Sequence, residues 1–353
     1  MSKKHFSWLL GLTAVVAAIA ILLPRETTHE NSVQASALLL GLEEQVNKID
    51  WLRVSAGGDT VATLKRSDGQ WVLEEAHGYS ADWPELQKLL LDLSEAQVVE
   101  AKTSNPAYYD RLGVEDPGSP GASGVLVEFH ESTGLPALII GNSAQGRGGQ
   151  YLRRADSAQS VLIDRELEIS RSLDGWMDSE IIDIAEGEVV EVGLTFADGE
   201  TVLIRKISAD DANFELQNIP EGFEPESNWS VNALAGGLSS LTLDDVVPAT
   251  EFDWAGATQF RVVTASGLNV EADLLPVTTE EGNPTEFWMR LDAGLYTTAI
   301  DADVDPDAGE TTAQRAEAIN ARVSGWAYRI PQYKQEAMSK RMESLVKKIE
   351  ADS

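Results

Sequence analysis

The sequence predicts an α+β protein: an N-terminal transmembrane helix, two similar antiparallel β-sheet/helix repeats and a C-terminal helix. Three observations predict it. An uncharged apolar run goes from Phe6 to Leu23. Short β-type segments separated by turn signals lead twice into a helical apolar stripe. The residues of the two stripes match at a single offset of 145 positions. The 353 residues, 43% hydrophobic and 24% charged, suit two folded domains rather than a disordered chain.

The amino terminus comes first. Lys3 and Lys4 precede the apolar run, Pro24-Arg25 follows it, and only Ser7 and Thr13 within it are polar. At about 1.5 Å per residue the run spans roughly 27 Å, close to the hydrocarbon thickness of a bilayer. The leading lysines favour a cytoplasmic N-terminus and send the rest of the chain outward. A cleaved signal peptide is the rival, although Ala18-Ile19-Ala20 lies inside the run and Ala35-Ser36-Ala37 well beyond it. A buried core helix is the third reading. On the first reading residues 1–5 form a cytoplasmic tip, 6–24 the anchor and 25–46 a juxtamembrane spacer.

The first repeat is expected over 47–185. Ile49-Asp50-Trp51-Leu52-Arg53-Val54 is rich in β-formers, and Gly57-Gly58-Asp59 turns the chain. Val61–Lys65 returns, Ser67-Asp68-Gly69 turns again, and Trp71-Val72-Leu73 makes a third strand. Asp82 then caps a helix, with Pro84 tolerated in its first turn and Glu85 placed for a capping box. Leu86, Leu89, Leu90 and Leu93 stand at i, i+3, i+4 and i+7, one buried face. Val125–Phe129, Leu138–Ile140, Tyr151–Arg153 and Val161–Ile163 are further short strands.

The second repeat is expected over 186–330. Val190, Val192, Leu194 and Phe196 alternate, Asp198-Gly199 turns, Thr201–Ile204 returns, and Phe214-Glu215-Leu216 takes the place of the Trp71 strand. Ser227 stands 145 residues after Asp82, and Val231, Leu234 and Leu238 stand 145 after Leu86, Leu89 and Leu93. Matched positions at one period are the mark of an internal duplication, although two ordinary αβ segments can coincide. Phe260–Val263, Leu268–Ala272 and Phe287–Leu291 complete the β-type sequence. Met338, Met342, Leu345 and Ile349 then space an amphipathic helix over 331–353. It is expected to pack on its own domain, with a partner-binding or membrane-surface helix as the alternative.

Charge and composition exclude whole classes. The chain holds 27 Lys and Arg against 58 Asp and Glu, a formal charge of −31. Without its first 25 residues, which contain three bases and no acid, it carries 24 bases against 58 acids, or −34. Nucleic acid and anionic headgroups are repelled by such a surface. The acids are spread along the chain, so a solvated face is the simpler reading and a docking face for a cationic partner the sharper one. No cysteine is present, which removes disulfides, thiol nucleophiles and Cys-ligated metals.

Several segments in order resemble the domain-of-unknown-function 4340 family of bacterial membrane-anchored proteins. They are Ile49-Asp50-Trp51, Asp68-Gly69-Gln70-Trp71-Val72-Leu73 and Tyr79-Ser80-Ala81-Asp82. Leu112-Gly113-Val114-Glu115-Asp116-Pro117, Leu138-Ile139-Ile140-Gly141 and Gln150-Tyr151-Leu152-Arg153 follow, and Gly325–Tyr333 closes the series. The resemblance implies a single-pass protein of the bacterial inner membrane with an extracytoplasmic repeated domain. It also implies members encoded beside ABC-type transporter subunits, and it carries no catalytic residue across.

Candidate motifs are weak. Gly141–Gly148 has the glycine spacing of a phosphate loop, but Arg147 stands where Lys is needed and Gly148 where a hydroxyl should hold magnesium. A hairpin loop explains it better. Asp301, Asp303, Asp305 and Asp307 offer alternate oxygen ligands to calcium, but Pro306 and Thr312 occupy positions where an EF-hand needs Gly and Glu. A hydrolytic triad would have to use His77 or His130, neither beside a nucleophile elbow. Pairs such as Glu280-Glu281 are expected by chance among 58 acids. Trp51, Trp71, Trp83, Trp176, Trp229, Trp254, Trp288 and Trp326 could form a sugar platform, although core packing is the commoner fate of such residues. The expectation is therefore a non-enzymatic, cofactor-free interaction protein of the extracytoplasmic face. Its expected partners are an ABC-type permease or auxiliary subunit, and a glycan- or peptide-binding module is the alternative.

Overall fold

The computed structural model describes residues 36–38, 42, 48–146, 148–278, 286–296 and 306–349. The anchor over Phe6–Leu23 lies outside them. Among the described residues no helix is long and apolar enough to cross a membrane. The architecture is mostly β-sheet with few helices.

The first sheet contains β1 (Ser36–Ala37), β2 (Trp51–Ala56), β3 (Asp59–Ser67), β4 (Gln70–Leu73) and β5 (Tyr79–Ser80). Helix α1 (Trp83–Glu95) follows, then β6 (Gln97–Ala101), the short α2 (Tyr109–Leu112), β7 (Val125–Phe129), β8 (Leu138–Ser143), β9 (Gln150–Arg154) and β10 (Ser160–Ile163). After β11 (Glu180–Ile182) the second sheet is built from β12 (Val189–Thr195), β13 (Thr201–Arg205) and β14 (Glu215–Leu216). Next come β15 (Phe223–Pro225), α3 (Asn228–Asn232), β16 (Leu241–Thr242) and β17 (Asp245–Pro248). β18 (Thr258–Thr264), β19 (Leu268–Val277), β20 (Glu286–Leu295), α4 (Pro306–Val323), β21 (Trp326–Arg329), α5 (Gln332–Met338) and β22 (Val346–Lys348) complete the chain.

The two sheets share one topology. Eight strands of the first run β4-β3-β2-β7-β8-β9-β10-β6, and the second runs β14-β13-β12-β18-β19-β20-β21-β17. Each is the third, second, first, fifth, sixth, seventh, eighth and fourth of its set in chain order. Registers agree as well: Leu52 faces Leu64 and Val54 faces Ala62, as Val192 faces Ile204 and Leu194 faces Val202. The sequence repeat is thus a repeat of strand order.

Helix α1 forms as its sequence dictates. The Asp82 carboxylate accepts the Glu85 N–H at 3.0 Å, and Leu86, Leu89, Leu90 and Leu93 are buried. The capping box is only half made, because the Asp82 N–H donates instead to the Trp176 carbonyl at 2.8 Å. Ser227 caps α3 in the same way, through the Ser230 N–H at 3.1 Å. That helix is shorter: it tightens into a 3-10 turn over Ala233–Gly236, and Gly236-Gly237 stands where α1 continues with Leu91-Asp92. Each glycine costs about 1 kcal/mol of helix propensity, and a Cβ at Gly237 would meet the Phe260 ring and Met338.

The C-terminal segment corrects the expectation of one amphipathic helix over 331–353. Helix α5 stops at Met338, a 3-10 turn covers Met342–Ser344, and β22 pairs antiparallel with β15. Met338 and Leu345 are both buried, but from different elements. Tertiary partners supply the physical reason. Arg341 pairs with Asp198 and Glu200, and the Met342 N–H donates to Glu200 at 2.8 Å, so the backbone is satisfied away from a helix. The segment is the second repeat's closing strap. The Glu226 N–H donates to the Leu345 carbonyl at 2.8 Å, as Asp82 does to Trp176, and Trp176 and Leu345 are both fully buried.

Helix α4, inserted between β20 and β21, is absent from the sequence expectation. Its inward stripe, Thr312, Ala316, Ile319 and Val323, is too weakly apolar to stand out. It docks through Asn320, which accepts the Ala293 N–H at 2.8 Å and donates to the Ala293 carbonyl at 2.7 Å.

In the first repeat a buried clamp joins three of the sequence segments. Arg153 donates to the Val114 and Ser157 carbonyls at 3.0 Å each, pairs with Asp116, and lies 4.6 Å over the Tyr109 ring. Gln150 donates to the Gly141 carbonyl at 2.9 Å and accepts the Leu167 N–H at 2.7 Å. A Cβ at Gly141 would collide with the Leu112 carbonyl oxygen, which is backbone and cannot swing aside. Gly141→Ala is therefore expected to lower stability by about 1–3 kcal/mol, the cost of overpacking, read from urea denaturation midpoints.

Candidate functional site

A concavity lies on the first repeat, against its junction with the second. Asp68 and Gly69 both take positive φ, 49° and 86°, and make a two-residue hairpin between β3 and β4. That turn sets Arg66 opposite Trp71. The start of α1 sets Trp83 on the far side. Arg66, Gln70, Trp71, Ser80 and Trp83 line a cleft of about 460 Å³. Trp83 is 45% exposed while Trp71 is largely buried. An indole wall facing a guanidinium, an amide and a hydroxyl can stack on a ring or apolar face and hydrogen-bond its polar edge.

Behind the cleft the two repeats meet. The Asp178 N–H donates to the Ser80 carbonyl at 3.1 Å, and the Tyr79 hydroxyl donates to the Asp178 carbonyl, also at 3.1 Å. Tyr79 stands edge-on to Trp326 and Tyr328, with ring centroids at 5.2 and 6.1 Å. Arg322 reaches Asp178 at 2.7 Å and Glu180 at 3.4 Å. Burial, reinforced by the Asp178 charge, pushes the Tyr79 phenol up to about 12. Tyr328 is raised further, by burial and then by Tyr79. Burial also raises Asp178, against the pull of Arg322. Neutral phenols held this way act as hydrogen-bonding struts, not as nucleophiles.

Other predicted positions are scattered. Asp301, Asp303, Asp305, Arg147 and Glu280-Glu281 lie outside the described residues. Asp307 falls in the first turn of α4, so the second half of the supposed calcium loop is helix. Among the described residues no group of three His, Asp or Glu is placed to hold a metal ion. The Gly141–Gly148 stretch joins strand to strand, with the Ala144 N–H donating to the Gly149 carbonyl at 2.8 Å. A phosphate loop must instead lead into a helix. His130 caps a 3-10 turn, its Nδ1 2.8 Å from the Ser132 hydroxyl and 3.2 Å from the Ser132 N–H. His77 sits in a turn after β4 with φ 56°. Among the described residues the tryptophans form no single platform: Trp71, Trp176 and Trp288 are buried, Trp51, Trp254 and Trp326 half-buried, and Trp83 and Trp229 exposed. Sequence reasoning did not foresee the junction, whose partners Tyr79, Asp178, Arg322 and Tyr328 stand far apart in the chain.

The junction phenols make alkaline pH a probe. An unfolded chain ionises its tyrosines near the ordinary value of about 10, whereas folded Tyr79 keeps its proton to about 12. Stability from this pair is fully present below about pH 10 and is lost as pH rises through the folded value. Replacing Tyr79 and Tyr328 together by Phe is expected to flatten that part of the alkaline fall in stability, measured by urea denaturation across the window.

No curated protein and no solved structure matches the chain. The family described as domain of unknown function (DUF4340) matches residues 71–259, from β4 in the first repeat to β18 in the second. The match covers more than half of the chain and includes Trp71 and Trp83 of the cleft, α1, the Arg153 clamp and the linker to the second repeat. The chain belongs to the DUF4340 family.

Proposed function

We propose that this chain is a single-pass, membrane-anchored, extracytoplasmic interaction protein, an accessory component of an ABC-type transport or envelope system. In this reading Phe6–Leu23 is the anchor in the bacterial inner membrane, the N-terminus is cytoplasmic and the bulk of the chain is periplasmic. The role is non-catalytic, and the partner is a permease or auxiliary membrane subunit. The observation that carries it is Trp229, 79% exposed at the start of α3, with the Lys340 ammonium 5.6 Å over its ring. Tryptophan is enriched among the residues that carry most of the binding energy of protein interfaces. Tyr333, also exposed, belongs to the same C-terminal segment as Lys340. Nucleic acid is disfavoured by the net charge of −31.

Pull-down of the full chain from detergent extracts through a C-terminal tag tests the proposal. A membrane subunit should co-purify, and Trp229→Ala should reduce recovery several-fold with the fold intact, since anchor residues contribute about 2 kcal/mol or more. A trimmed, freely soluble product, or recovery unchanged by the substitution, would refute it.

The second reading, a module for glycan or peptide, is favoured by the Trp71/Trp83 cleft. In a thermal-shift screen against envelope fragments a ligand of that cleft raises apparent stability by mass action. Trp83→Ala should abolish the shift; a shift that survives would locate the ligand elsewhere.

A further inference from the structure

A second concavity lies in the second repeat, and the repeat symmetry shows that the fold does not require it. At a β-bulge where β12 meets β18, between Val189 and Glu191, the strand ends open into a cleft of about 170 Å³. Glu191 lies at its base, only 2% exposed. Its carboxylate takes Arg205 Nε at 2.6 Å on one oxygen and Arg261 Nη2 at 2.6 Å on the other. Arg261 also lies 5.2 Å over the Tyr296 ring.

In the first repeat the same register positions are filled differently. Trp51 faces Lys65 where Glu191 faces Arg205, and Arg53 faces Glu128 where Gly193 faces Arg261. Arg53 stacks 4.8 Å from the Trp51 ring. In the second repeat Gly193 leaves the space across which Arg261 reaches Glu191, its guanidinium within van der Waals contact of where a Cβ would stand. The first repeat puts an indole where the second puts a buried carboxylate held by two cations.

Two guanidiniums share one carboxylate in a chain whose formal charge is −31. Each guanidinium has five N–H donors; among the described residues Arg205 commits two of them to Glu191 and Arg261 one. Glu215, opposite Arg205 across β13 and β14, is exposed at the sheet edge. The remaining walls combine Val190, Val263 and Ile207, the last 77% exposed, with Lys206, Thr264 and Tyr296. We propose that this cleft binds a small amphipathic anion, a carboxylate or phosphate group carried on a short apolar body. Arg205 and Lys206, the two cations that line the cleft, take the anion, and Val190, Ile207 and Val263 take the apolar part.

Calorimetric titration of the full chain in detergent with hexanoate, hexanol and inorganic phosphate tests it. Hexanoate should bind saturably and hexanol at least about tenfold more weakly, a difference of about 1.4 kcal/mol. Glu191→Gln removes the competing charge and should tighten hexanoate. Should that variant fail to fold, Ala209→Trp decides, because Ala209 lines the cleft on an exposed loop and takes no part in the ion pairs. It should abolish hexanoate binding while thermal unfolding stays unchanged. Absent hexanoate binding, equal affinity for hexanol, binding of phosphate alone, or hexanoate binding indifferent to Ala209→Trp would each overturn the proposal.

Discussion

A backbone hydrogen bond closes each repeat, and the remaining structure is arranged around it. In the first repeat the N–H of Asp82, the residue that caps α1, reaches the carbonyl of Trp176; in the second the Glu226 N–H reaches Leu345. These bonds tie the helix entrance to a segment roughly a hundred residues further along. Trp176 and Leu345 are buried behind them, so bond and burial sustain each other: a strap that lifted would leave polar backbone unpaired and apolar surface in water. In the first repeat the strap runs on into the second, and Asp178 and Arg322 meet Tyr79 and Tyr328 there. The same device that completes one repeat thus joins it to the next.

Duplication then acts as an internal control. Positions that face the core are matched in kind, Leu52 and Val54 by Val192 and Leu194, because one strand order and one register impose one pattern of burial. Positions on the outer face have diverged. Trp51 and Arg53 stack in the first repeat, whereas in the second Glu191 lines a cleft and Gly193 leaves room for Arg261. The aromatic cleft shows the reverse asymmetry, since Trp71 and Trp83 correspond to Phe214 and Asn228. Each repeat keeps the scaffold and offers a different surface.

Much of this was legible in the chain. Strong periodicity located α1 and most strands, since alternation along a strand and the four-leucine stripe report burial directly. Periodicity failed where burial and apolarity part company. Helix α4 buries Thr312 and Ala316, residues too small or polar to register, while the Met338–Ile349 spacing imitates a helix that tertiary partners break up. The chain offers Trp71 and Trp83 among its candidates but neither Arg66 nor the convergence of the three, and the junction joins residues more than two hundred positions apart.

The sequence by itself determined the repeat, the register-bearing hairpins, the capped helix and a strongly acidic charge balance, because each depends on neighbours within a few residues or on composition alone. Only the tertiary structure decided which tryptophans stay exposed, that the C-terminal segment is a strap, and that Glu191 sits between two arginines. Those outcomes depend on which distant backbone groups and charges arrive to satisfy one another, and no local pattern encodes that arrival.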